Sequence, residues 1–225
     1  MPLSRRLLAE FVGTLLLLAT VVGSGTMGMD LSEGNRGVAL LANAGATAGM
    51  LYVLIALLGP VSGAHLNPAV TLVFRARGAL GNREALAYVI AQIIGALAGV
   101  VLAHLMFGLE IVQWGDHART GASQWLSEGV ATFGLVLTIL LGLQRRPAAM
   151  PVLVAAYIFA AYWFTASTSF ANPAVTIARS LTRTFAGIRP DDIPGFIAAQ
   201  CVGAVLAMLL AKALAPEVVR NDPAG

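Results

Sequence analysis

Two identical pentapeptides, Asn67-Pro68-Ala69-Val70-Thr71 and Asn172-Pro173-Ala174-Val175-Thr176, stand 105 residues apart in a chain of 225. Each places an amide side chain, able to cap a helix and to donate hydrogen bonds, before a proline. Proline suits the first turn of a helix, where its missing N–H would have had no partner in any case. A Gly/Ser/Thr-rich stretch precedes each pentapeptide, and a short helical pattern follows, Val70–Arg75 and Val175–Leu181. Two such half-helices meeting head to head would aim two positive N-terminal ends at one point. The Asn67 and Asn172 amides would then be free to donate there, with loop carbonyls as acceptors along one wall. Such a lane suits neutral, hydrogen-bonding molecules, and its central positive potential opposes protons and cations.

Two carboxylates sit inside otherwise apolar runs: Glu10 in Glu10-Phe11-Val12-Gly13-Thr14 and Glu128 in Glu128-Gly129-Val130-Ala131-Thr132. An ionisable group at membrane depth is by default functional. Here the first expectation is loop support, each carboxylate accepting N–H groups from a half-helix loop; proton relay is the competing role. His65 is expected to fix its loop by hydrogen bonding. No second His, Cys or carboxylate lies at ligand spacing from it, so neither metal nor cofactor is implied. No nucleophile–base pair suggests an enzyme.

These residues must be positioned by an unusual solvent. The chain is 58% hydrophobic and 11% charged, against about 25% charged in a soluble domain. Six runs are long and apolar enough to span a bilayer: Leu7–Ser24, Val38–Gly59, Ala85–Phe107, Trp125–Leu143, Ala149–Thr168 and Ile193–Leu214. They lack the alternation of a β-barrel. Arg5-Arg6 ahead of the first run resembles the charged start of a signal peptide, but the run is long for one and carries Glu10, so it is expected to be retained. The half-helices are too short to span and must be re-entrant, tolerated only where they line a wet cavity.

The runs fall into two similar halves, about 7–107 and 125–214. Besides the pentapeptides and the two Glu-bearing stretches, Ala91-Gln92-Ile93-Ile94-Gly95-Ala96 recurs as Ala199-Gln200-Cys201-Val202-Gly203-Ala204. Three spans per half force the second half to be inverted, with a shared site near the midplane. Gly13, Gly95, Gly99 and Gly203 are expected where backbones approach, and Met27, Met29 and Met50 as packing or loop residues. Nine of the 14 Lys and Arg residues (Arg5, Arg6, Arg75, Arg77, Arg83, Arg145, Arg146, Lys212 and Arg220) share one side; Arg36, Arg119, Arg179, Arg183 and Arg189 fall on the other. That bias puts both termini in the cytoplasm. The net charge of +3 signals topology, with no nucleic-acid partner implied. Cys201 is the single cysteine, which excludes an internal disulfide, and is expected to pack within the sixth span.

The paired Asn-Pro-Ala turns, the run Ser62-Gly63-Ala64-His65-Leu66-Asn67-Pro68-Ala69-Val70 and the Glu-bearing first and fourth spans together resemble the major intrinsic proteins, the aquaporins and aquaglyceroporins. The resemblance extends from about Ala9 to Leu214, and it is the doubling of the turn that makes it specific. It implies an all-α membrane fold of six spans and two re-entrant half-helices over 1–225, a pore in each subunit, and a homotetramer in the plasma membrane.

One position departs from the family. Where most members carry Arg directly after the second Asn-Pro-Ala, this chain has Val175, and the nearest Arg, Arg179, lies four residues on. Counting from the asparagines as in the family, the other filter positions are Thr47, Ala160 and Ser169. All are small, which implies a wide filter with no fixed charge and no aromatic wall. The variant resembles bacterial aquaglyceroporins associated with arsenic-resistance genes. Arg179 could line the outer vestibule or tie the loop at the subunit surface. The function expected is passive permeation of water, glycerol-sized polyols and undissociated metalloid hydroxides such as arsenite. A secondary transporter using the inverted-repeat site is the alternative, and an ion channel a third class.

Overall fold

The computed structural model describes residues 1–214; Arg220, one of the charges used for topology, lies outside them. Eight α-helices follow in order: α1 (Leu3–Leu31), α2 (Arg36–Ser62), α3 (Pro68–Ala76), α4 (Asn82–Met106), α5 (Ala122–Arg145), α6 (Met150–Phe164), α7 (Pro173–Ala178) and α8 (Ile193–Leu214). No strand occurs among the described residues. Among the described residues, six helices are long and apolar enough to cross a membrane. Their outer faces carry Leu57, Leu86, Leu126 and Leu209, Leu126 being 70% exposed. A continuous apolar skin of this kind matches lipid as its solvent.

The sequence repeat is also a packing repeat. α1 lies against α4 and α2, and α5 lies correspondingly against α8 and α6; α2 meets α6 across the two halves. Each half-helix packs on the last span of both halves: α3 on α4 and α8, α7 on α4 and α8. Glycine permits the closest of these approaches. A Cβ on Gly95 would collide with the Phe11 carbonyl oxygen of α1, and one on Gly203 with the Gly129 carbonyl oxygen of α5. Gly203→Val is therefore expected to push α5 and α8 apart and to cost about 1–3 kcal/mol by overpacking. Thermal unfolding in detergent reads this directly, and an unchanged midpoint would remove Gly203 from the close contact.

The two half-helices begin at their prolines, two residues earlier than the helical pattern alone suggests. α7 also ends early, at Ala178, and Arg179–Leu181 continue as a 3-10 turn. Cys201 differs from expectation. It lies exposed on the outer face of α8, beside the exposed Val202, Val205 and Leu206, so it faces the surroundings of the helix rather than its packed side.

Candidate functional site: a capped midplane junction and its cavity

Asn67 and Asn172 each cap a half-helix. The Asn67 Oδ1 accepts from the Ala69 N–H at 2.9 Å, and the Asn172 Oδ1 accepts from Ala174 at 3.0 Å and Val175 at 3.3 Å. Pro68 and Pro173 fill the first helical position after each cap, and Ala69 and Ala174 are buried behind them. The two caps are cross-linked: the Asn67 Nδ2 donates to the Ala171 carbonyl and the Asn172 Nδ2 to the Leu66 carbonyl, both at 2.8 Å. The amides are therefore not wholly free, although the sequence suggested that they would be. Each carries two hydrogens; one ties the opposite loop, and one remains for the cavity.

The approach loops adopt conformations that L-residues avoid. Ala64 and Leu66, three and one positions before Asn67, have φ of 46° and 50°; Ser169 and Ala171, at the same places before Asn172, have 51° and 48°. Each such residue costs on the order of 1–3 kcal/mol and persists only when its surroundings over-determine it. The carboxylates do this. Glu10 accepts from the backbone N–H of His65 at 3.0 Å and of Leu66 at 2.7 Å; Glu128 accepts from Phe170 at 2.8 Å and Ala171 at 2.9 Å. Gln92 Nε2 then bridges Glu10 (2.8 Å) and the Thr71 hydroxyl (2.9 Å). Gln200 Nε2 bridges Glu128 (2.6 Å) and the Thr176 hydroxyl (2.9 Å) in the same way.

The halves are not identical. Glu10 also accepts from the Ser62 hydroxyl at 2.6 Å, for a total of four donors, while Glu128 has three. The His65 Nδ1 lies 3.1 Å from the Thr71 hydroxyl, and its ring packs at a tilt against those of Phe74 and Tyr88.

A cavity of about 400 Å³ runs through this junction. Asn67, Asn172, His65, Thr47, Ser169, Val175 and Arg179 all line it. Much of the rest of the lining is apolar, including Leu17, Val21, Leu51 and Ile158. A lane lined by a few polar groups and much hydrocarbon can pass small molecules one by one without offering a full hydration shell, which penalises ions most.

Ala160 is a correction. It is exposed on the outside of α6 and does not line the cavity. The residue that does is Tyr162, whose hydroxyl donates to the Thr47 hydroxyl at 3.3 Å. The cause is a spacing counted through the irregular 165–171 loop, where distance per residue is not constant. Counted within α6, Met150, Val154, Ile158 and Tyr162 recur every fourth residue, so they share one face, and all line the cavity.

Nor is the cavity wall uncharged and without aromatic groups, as expected from the small residues; the Tyr162 miscount and the 3-10 turn that carries Arg179 are separate causes. Tyr162 supplies an aromatic wall, and Arg179 supplies a cation. Arg179 is only 2% exposed. Its guanidinium lies 3.4 Å above the Phe170 ring centroid, and its Nε donates to the Ala186 carbonyl. It thus lines the cavity and bonds the Ala186 loop from a buried position, away from the subunit surface.

Arg119, counted above only as a topology charge, is also buried. It donates to the carbonyls of Gly187 (2.9 Å) and Ser167 (3.1 Å) and lies 5.0 Å from the Phe170 centroid. Burial pulls its guanidinium down to about 10, which leaves it charged at neutral pH. A lone Arg in a connecting segment has no sequence signature separating this role from a surface charge. Gln92 and Gln200 did carry a signal, being repeated in register, but the repeat alone does not say what they touch.

The model of a family described as the major intrinsic proteins matches this chain over residues 1–164 and 147–225. The aquaglyceroporin AqpS of Rhizobium meliloti (strain 1021) is 58% identical over 210 residues, covering 93% of this chain and 90% of that one. The aquaporin AqpM of Methanothermobacter marburgensis is 31% identical over 248 residues, covering 96% and 99%. In fold, the chain is similar to the X-ray structure of the aquaglyceroporin from Plasmodium falciparum, with a TM-score of 0.75 at 18% identity over 96% of this chain and 98% of that chain. With six spans, two re-entrant half-helices capped by asparagine and a cavity through their junction, the chain is a multi-pass membrane channel, not an enzyme, and belongs to the major intrinsic protein family.

Proposed function

We propose that this protein passively conducts water and small uncharged solutes, glycerol-type polyols and undissociated metalloid hydroxides such as arsenite, in either direction. Its proposed setting is the plasma membrane, as a homotetramer with both termini cytoplasmic. The observation that carries this reading is the cavity of about 400 Å³ in which both half-helix caps meet a largely apolar wall. In this reading Asn67 and Asn172 donate to the solute at the midplane; Thr47, Tyr162, Ser169, Val175 and Arg179 set the constriction; and Glu10, Glu128 and His65 hold the loops. The high identity to a protein named an aquaglyceroporin supports the polyol part. The charge bias supports the orientation, more so because Arg119 and Arg179, two of the five residues on the minority side, are buried and are not loop-surface charges at all.

A secondary transporter needs intramembrane charge free to couple an ion. Glu10 and Glu128 are instead engaged by four and three nearby donors. The test is swelling of proteoliposomes with water, glycerol and a metalloid acid, with and without proton and sodium gradients. Gradient-independent flux of all three is expected; flux that requires a gradient would overturn the channel reading.

The midplane role has its own test. Asp caps a helix as well as Asn, so Asn172→Asp should fold. It would, however, set an acceptor against the Leu66 carbonyl and cancel part of the central positive potential. Solute flux is expected to fall several-fold, with measurable cation or proton conductance. Unchanged permeability and selectivity in a well-folded variant would take Asn172 out of the solute path.

A further inference from the structure

Loss of Arg at position 175 does not leave this constriction without a cation. Arg179 reaches the same cavity from beyond the end of α7, and its side chain is held back in a defined way. Its Nε is spent on the Ala186 carbonyl, and its flat face lies on Phe170. Its Nη1 is buried with no hydrogen-bond partner, and so is the hydroxyl of Ser169, another residue lining this cavity. Asp192, a carboxylate in the adjoining network, is already engaged by the Arg119 backbone N–H and by Arg189. A buried donor without an acceptor is costly, more so when charged. What these two atoms lack is an oxygen acceptor, and the cavity that Arg179 and Ser169 line is where one could be offered.

We propose that Arg179 is the specificity-determining cation of the constriction, holding an acceptor oxygen of a passing hydroxylated solute together with Ser169. The proposal rests on the channel reading above and assigns its selectivity to one group. Stacking against Phe170 keeps the guanidinium at the wall, so its charge repels cations while Val175 leaves the lane broad. Width and cation exclusion, which a guanidinium projecting from position 175 would set against each other, are thereby supplied by separate residues.

The test uses full-length protein in proteoliposomes for water and glycerol flux, and in planar bilayers for sodium and proton conductance. Arg179→Leu is expected to raise cation conductance about tenfold and to lower the glycerol-to-water flux ratio about fivefold through loss of a donor. Arg179→Lys should retain cation exclusion but lower the ratio, because an ammonium cannot present a planar fork. Val175→Arg added to Arg179→Leu should restore cation exclusion.

A merely structural role in tying the Ala186 loop would lower both fluxes in proportion with no cation leak, and that result overturns the proposal. Should Arg179→Leu fail to insert, an unchanged flux ratio in Arg179→Lys overturns it equally. Absence of water and glycerol flux in the wild type would instead overturn the channel reading, and this inference with it.

Discussion

Glu10→Gln is expected to lower stability by about 2–6 kcal/mol, more than any effect on solute preference. The carboxylate accepts four hydrogen bonds, from Ser62, His65, Leu66 and Gln92. A glutamine keeps one acceptor oxygen and turns an NH₂ toward donors, so two donors are left buried and unpaired at about 1–3 kcal/mol each. Total stability of about 5–15 kcal/mol makes that a large fraction. The loss also falls where it matters most, because those bonds hold Ala64 and Leu66 at positive φ. Glu128→Gln should cost less, since Glu128 meets three donors. The measurement is the thermal midpoint of each variant in detergent, with the yield of assembled protein. A Glu10→Gln protein as stable as wild type, but altered in the pH dependence of its transport, would instead make the carboxylate a proton relay.

Val175→Arg should have the largest effect on flux. Val175 is buried and lines the cavity with Thr47, Tyr162, Ser169 and Arg179. The substitution adds a guanidinium with five donors to a constriction that already holds a phenol and a cation. Both steric narrowing and like-charge repulsion from Arg179 then act together. Glycerol flux is expected to fall at least about tenfold, a barrier increase of about 1.4 kcal/mol, and water flux by much less. Metalloid acid, comparable in size to glycerol, should follow glycerol. Stopped-flow swelling with the three solutes decides. Equal proportional losses would place the narrowest point elsewhere in the cavity.

The order of the elements was legible from the chain alone. Six apolar runs lie within the six helices or overlap them closely, although α1 extends beyond Leu7–Ser24 to Leu3–Leu31 and α6 stops at Phe164 rather than Thr168. The reason is that a bilayer imposes one strong local rule, length of apolar run, and the helix satisfies its own backbone hydrogen bonds. The inverted repeat was visible because identical chemistry is needed twice: an Asn cap, a Pro at the first turn, and a carboxylate to hold the strained loop. Each of these is set by neighbours a few residues away or by a partner on a matching span, so each leaves a paired signature.

What the chain alone determined is therefore the membrane, the six spans and the doubled capped half-helices. The lining of the cavity was decided only in three dimensions. Ala160 and Tyr162 differ by two residues, yet one faces outward and the other meets Thr47. Which of them lines the cavity depends on how the irregular 165–171 loop connects α6 to α7. Arg179 likewise looks from sequence like the next turn of α7. The helix ends at Ala178, and the 3-10 turn carries the guanidinium onto Phe170 and into the cavity wall. Arg119 joins that ring from 51 residues before Phe170. Hydrophobic burial and helix capping act locally and can be read along a chain; the meeting of three side chains from different loops is set by the packing of every helix between them.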